Sequence, residues 1–110
     1  MKEPKIYLEH ILEAIDKIEE YLGDQDFSQF NQDTKTQDAV IRQFEVIGEA
    51  VNQLQADFLS QYPDLPWEKI VAMRNKLIHE YFGVDIEVVW QTIQKRLPEL
   101  KVVIKKALKK

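Results

Sequence analysis

Apolar residues recur every three or four positions along most of this chain, the period of one face of an α-helix. Strict alternation is too short, and glycine and proline too scarce, for a sheet protein of 110 residues. From Leu8 the segment LEHILEAIDKIEEYL sets Leu8, Ile11, Ile15, Ile18 and Leu22 on one stripe, with Glu and Lys between them. The spacing predicts an amphipathic helix closed near Gly23. The acidic connector GDQDFSQFNQD follows, the longest irregular stretch expected, with Phe27 and Phe30 in a short turn folded back onto the core. A second helix is expected from Asp33 or Thr34, both N-capping types, to about Gln61. Its stripe is Val40, Phe44, Ile47, Val51, Leu54 and Phe58. Gly48 lies inside it, where a better helix former would add up to about 1 kcal/mol. That placement reads as close helix packing.

YPDLP ends this helix, because Pro63 and Pro66 cannot continue it, and Pro66 suits the first turn of the next. A third helix is expected over PWEKIVAMRNKLIHEYF, ending at Gly83. Asp85 caps a fourth, IEVVWQTIQKRL, with Val88, Val89, Trp90 and Ile93 as its apolar content. Pro98 interrupts, and PELKVVIKKALKK reads as a last short helix carrying Leu100, Val103, Ile104 and Leu108. The expected fold is all-α, an antiparallel four-helix bundle with an additional short C-terminal helix. The length suits one domain spanning residues 1–110.

Hydrophobic residues make up 45% and charged ones 31%, which allows a core and a well-solvated surface. With no cysteine and two histidines 69 positions apart, neither a disulfide nor a zinc-binding pattern is available, and no metal or cofactor is expected. The charged start MKEPKIYLEH lacks the apolar run of a signal peptide, and no window approaches the ~18 apolar residues of a membrane span. A cytoplasmic location is the expectation. The net charge of −4 is unevenly spread. Residues 95–110 hold seven Lys or Arg against one Glu, while residues 1–94 hold eight against eighteen Asp or Glu. Such lysines can follow phosphates, or simply solvate a helix end and complement its dipole.

RNKLIHEY, residues 74–81, concentrates chemistry in eight positions. Asn75 and His79, four apart, share a helix face, with Arg74 about 100° away around the cylinder. Ile70, Met73, Leu77 and Tyr81 form the more apolar side. A buried Arg or His without partners is costly, so this flank should face a cleft, solvent or another subunit. His titrates near neutral pH and suits proton transfer. Arg74 offers a permanent planar cation matched to phosphate oxygens. Together they fit RNA cleavage without metal, in which one group moves the 2'-hydroxyl proton and a cation offsets phosphorane charge. DNA, lacking that hydroxyl, should resist. Such cleavage needs an acid as well as a base, and the motif holds one histidine; His10 is too far in sequence to place. A two-fold dimer apposing two third helices would supply two copies of Arg74 and His79. By spacing alone, His79 also reads as a structural helix-end residue. Asp38, Arg42, Glu45 and Glu49 follow one another at helical steps and line the same cleft or form a solvated face, Arg42 being the stronger cleft candidate. Trp67 and Trp90 read as core rather than as base-stacking platforms.

R-N-x-x-x-H-x-Y in RNKLIHEY, together with KTQDAVIRQFEVIGEA, YPDLPW, HEYFGVDIEVVW and LPEL, resembles the HepT-like proteins of the HEPN superfamily. The resemblance runs in unbroken order from about Tyr7 to Leu108. It implies a small, all-helical, homodimeric toxin of a two-gene toxin-antitoxin module, a metal-independent endoribonuclease with tRNA among its substrate classes. By the same resemblance Arg74 and His79 are the catalytic pair and Asn75 the supporting polar residue. Tyr81 matches the tyrosine that the partner antitoxin, a minimal nucleotidyltransferase of the MntA type, modifies with AMP. AMP there would set a bulky negative phosphodiester beside Arg74, where an RNA phosphate would bind. The alternative is a non-catalytic helical module that docks a nucleotidyltransferase.

Overall fold

In the computed structural model, which describes residues 4–63, 65–79 and 84–109 (His79 by its backbone alone), the expected stripes become buried faces. Helix α1 spans Pro4–Leu22 and buries Leu8, Ile11, Ile15, Ile18 and Leu22, with Gly23 taking the left-handed φ of +55° that releases the chain. The connector is more ordered than its composition suggests. It forms α2, Phe27–Gln32, started by a capping box in which Asp26 and Gln29 each accept from the other's backbone N–H. Phe30 is fully buried, and Gln37 donates to the carbonyls of Phe30 and Asn31 at 2.8 and 3.0 Å, so two carbonyls at the end of α2 are satisfied from α3.

Helix α3, Thr34–Gln53, starts at the predicted cap, where Asp33 accepts from the Thr36 N–H and hydroxyl, at 3.0 and 2.6 Å, and from Gln25 at 2.9 Å. It stops eight residues before the expected Gln61. Leu54 turns extended (φ −73°, ψ 142°) and buries its side chain, and one short turn, α4 (Ala56–Leu59), follows. No Gly or Pro marks this break; burial of Leu54 takes the place of a stop signal. The connector is fastened by the Trp67 indole, which donates to the Tyr62 carbonyl at 3.0 Å. Trp67 is buried, and Trp90 packs against Phe27 and Phe30, with centroids 5.8 and 5.6 Å apart, so both tryptophans are structural as read.

Helix α5 spans Trp67–His79, and the expected end at Gly83 lies outside the described residues. Helix α6, Ile86–Lys95, is capped by Asp85, and α7, Leu97–Leu108, carries Pro98 in its first turn. Val89, Ile93, Leu100 and Ile104 are buried, whereas Val88 is exposed. The all-α fold is as expected: among the described residues there are seven helices and no strand. The last helix, read as a short addition, is longer than α6 and packs directly on α1. Lys101 reaches from it to Glu19 at 2.6 Å and Asp16 at 3.3 Å. The Glu19 hydrogen bond, opposed by partial desolvation, raises the Lys101 pKa above its ordinary value.

The hydrogen bonds from Thr36, and then from Gln25, lower the Asp33 pKa from 3.8 to about 2. Asp33 therefore stabilises the fold fully above the ordinary carboxylate pKa, and that contribution is lost as pH falls through its folded value. Urea midpoints of wild type and Asp33→Asn are expected to differ at pH 6 and to draw together steadily as pH falls from the ordinary carboxylate pKa toward 2. A gap that stays constant with pH would contradict this assignment.

Candidate functional site

The site is built on a close approach of α3 and α5, and glycine makes it possible. A Cβ at Gly48 of α3 would overlap Cβ and Cγ of Arg74 on α5, so the two backbones meet only where α3 has no side chain. This is the close packing that the sequence suggested, and it fixes the stem of Arg74 against α3. The guanidinium Nη1 then donates to Glu49 Oε2 at 2.6 Å. The Arg74 side chain is only 16% exposed, and its Nε is buried with no hydrogen-bond partner among the described residues. A charged group so placed has one strong tie and unused donor capacity, the arrangement suited to receiving an anionic oxygen.

Arg74 opens onto a cleft of about 240 Å³ formed by α1, α3 and α5. Tyr7 and His10 come from α1, Arg42, Glu45 and Glu49 from α3, and Arg74 and Ile78 from α5. The end of α1 is linked to the start of α3 by the Gln25–Asp33 bond, while the first turns of α1 flank the second half of α3. The two helices thus run antiparallel, which is how residues 7 and 10 reach residues 42–53. Arg42 lies 3.4 Å from Glu45 and is mostly exposed, so this cation is free to move toward a ligand.

Of the residues singled out in the sequence, Arg74, Arg42, Glu45 and Glu49 converge on this cleft, and Asp38 does not. Asn75 is exposed and outside the cleft lining, one helical step from Arg74. His79 is the last residue of α5, one position beyond the cleft residue Ile78; its side chain, and all of Tyr81, lie outside the described residues. Sequence reasoning left His10 unplaced. The signal available was local: Tyr7 and His10 are one turn apart on the flank beside the Leu8–Ile11 stripe, and their rings meet edge-on with centroids 6.5 Å apart.

The charges of the cleft are balanced rather than strongly basic, since Arg42 and Arg74 face Glu45 and Glu49. The C-terminal lysines among the described residues do not line it, and Lys101 is engaged with α1. Among the described residues there is no cluster of His, Asp and Glu arranged to hold a metal ion, and no helix is long and apolar enough to cross a membrane.

Comparison with known proteins places this geometry in context. Residues 11–107 match the family model described as "Ribonuclease HepT-like". The chain is 50% identical over 97 residues to the "Probable ribonuclease HepT" of Thermococcus cleftensis, covering 88% of each protein. It is 43% identical over 110 residues to the "Putative RNase" of Caldanaerobacter subterraneus subsp. tengcongensis, covering 100% of this chain and 98% of that one. A protein of Methanocaldococcus jannaschii named "Gamma-glutamylcyclotransferase and putative RNase" is 46% identical over 100 residues; the match covers 91% of this chain and 45% of that protein. No solved structure matches the chain.

Proposed function

From its membership of the HepT-like ribonuclease family, we propose that this chain acts as one HepT-like HEPN unit, a metal-independent endoribonuclease toxin that cleaves RNA, with tRNA as its substrate class. The observation that carries the reading is the placement of Arg74: a guanidinium tethered at one nitrogen by Glu49, facing a cleft, on the helix whose last residue is His79. The chemistry follows from these groups. The ribose 2'-hydroxyl loses its proton and attacks the adjacent phosphorus, and charge grows on the non-bridging oxygens. Arg74 is the cation for that charge and His79 a proton-transfer group, each acting where charge or a proton changes place. Asn75 is the supporting polar residue, exposed beside the cleft on the same turn, and Arg42 approaches the RNA backbone from α3. The site is shared in a homodimer that brings two copies of α5 together.

Regulation follows from the neighbouring residue. A nucleotidyltransferase antitoxin of the MntA type transfers AMP to Tyr81, and the added phosphodiester competes with RNA for Arg74.

One experiment tests both halves. Total tRNA is incubated in excess EDTA with wild type, with His79→Ala, and with wild type and Tyr81→Phe previously exposed to such a nucleotidyltransferase and ATP; intact mass is recorded throughout. Cleavage by unmodified wild type and not by His79→Ala is expected, with AMP mass and lost cleavage in treated wild type and neither in Tyr81→Phe. Equal labelling of Tyr81→Phe would move the acceptor elsewhere. Absence of cleavage by unmodified wild type would favour the module that docks a nucleotidyltransferase without catalysis.

A further inference from the structure

Cleavage of RNA by its own 2'-hydroxyl requires two proton transfers. One group takes the proton from O2' as the O2'–P bond forms, and another gives a proton to O5' as the P–O5' bond breaks, leaving a 2',3'-cyclic phosphate and a 5'-hydroxyl. Nothing is oxidised or reduced, and no co-reactant is consumed. The motif on α5 supplies one histidine. The cleft supplies another.

His10 stands on the wall of the Arg74 cleft opposite α5, brought there by the antiparallel run of α1 along α3. It is exposed, so substrate can reach it, and its imidazole is steadied by the edge of the Tyr7 ring. The groups that face it are Tyr7 on its own helix, Arg42, Glu45 and Glu49 on α3, and Arg74 on α5. Among these described side chains His10 is the one imidazole, a ring that can both accept and give a proton. A phosphate drawn to Arg74 enters the same cleft that His10 lines. Resting on the ribonuclease reading, we propose that His10 is the second proton-transfer group of the reaction, complementing His79 in a cleavage at the phosphate held by Arg74. A second copy of His79 from a partner chain is then not required for the proton balance, although the dimer still shares the site.

The test compares wild type, His10→Ala and His10→Gln as full-length chains on total tRNA between pH 4.5 and 9. Both variants are expected to lose kcat by about 10²–10⁴-fold, with KM changed much less, unaltered melting by circular dichroism, and one limb of the bell-shaped pH profile removed. A structural His10 would not remove a limb of the profile. In parallel, wild type is titrated with a 2'-O-methyl oligoribonucleotide, which cannot be cleaved by this route. The imidazole NMR signal of His10, assigned by its absence in His10→Gln, is expected to shift as the oligonucleotide binds. Wild-type rates with both limbs intact in His10→Ala would overturn the role of His10 and leave the ribonuclease reading standing. Failure of wild type itself to cleave RNA would overturn both.

Discussion

Arg74→Ala is expected to lower the rate of RNA cleavage by about 10²–10³-fold, the usual consequence of losing one donor to transition-state charge. The fold should tolerate the change. The ion pair lost is with a half-exposed Glu49, and such pairs contribute roughly 0–1 kcal/mol. Its removal also takes away a buried Nε that has no hydrogen-bond partner among the described residues. Stability and activity therefore separate at this position: urea midpoints near wild type, cleavage nearly absent. Arg74→Lys is the informative companion, because lysine keeps the charge but loses the planar fork, one nitrogen of which holds Glu49. If Arg74→Ala cleaves tRNA at the wild-type rate, the cleft described here is not the site of the reaction.

The second large effect is expected at a residue with no functional group. Gly48→Ala inserts a methyl where Cβ and Cγ of Arg74 already lie, so either α3 and α5 separate or the Arg74 stem swings aside. For stability the clash, about 1–3 kcal/mol, is partly offset by the gain of up to about 1 kcal/mol in helix propensity. Activity has no such offset, since misplacing a catalytic group by about 1 Å can cost about 10²-fold in rate. A Gly48→Ala protein that still folds, melts somewhat below wild type and is ~10²-fold slower is the expected result, with Gly48→Val destabilised more. Full activity in Gly48→Ala would mean that the close approach serves packing alone.

The fold was legible wherever helical period and chain punctuation agreed. The stripes of α1 and α3 are buried as their spacing indicated, and the caps at Asp33 and Asp85 are where short acidic side chains precede apolar runs. Departures occur where tertiary burial overrides local composition. The connector around Phe30 is helical because that ring fills the core and Gln37 satisfies the carbonyls behind it, neither of which is visible in a polar, acidic segment. The break at Leu54 has the same origin. In the site, single-helix reasoning could group Arg74 with its neighbours on α5 and align Arg42 with Glu45 and Glu49 on α3. It could not tell that Glu49, rather than another carboxylate, would take the arginine, because that pairing crosses 25 residues and depends on a glycine one position before it. His10 was out of reach for the same reason: its meaning comes from the direction α1 takes, and nothing within a turn of it states that direction.

The packing of α7 on α1 has a consequence for the life of the newly made chain. α1 is synthesised before α7, yet the two pack together, and Lys101 meets Asp16 and Glu19 across more than eighty residues of intervening sequence. Until α7 is available, α1 lacks that neighbour and the helix carrying His10 lacks part of its support. Contacts of such separation form late, after the loop between them has closed. A nascent polypeptide that has not yet reached α7 would thus hold the Arg74 motif without a firmly placed α1 wall, and the cleft would be complete only once α7 has been made.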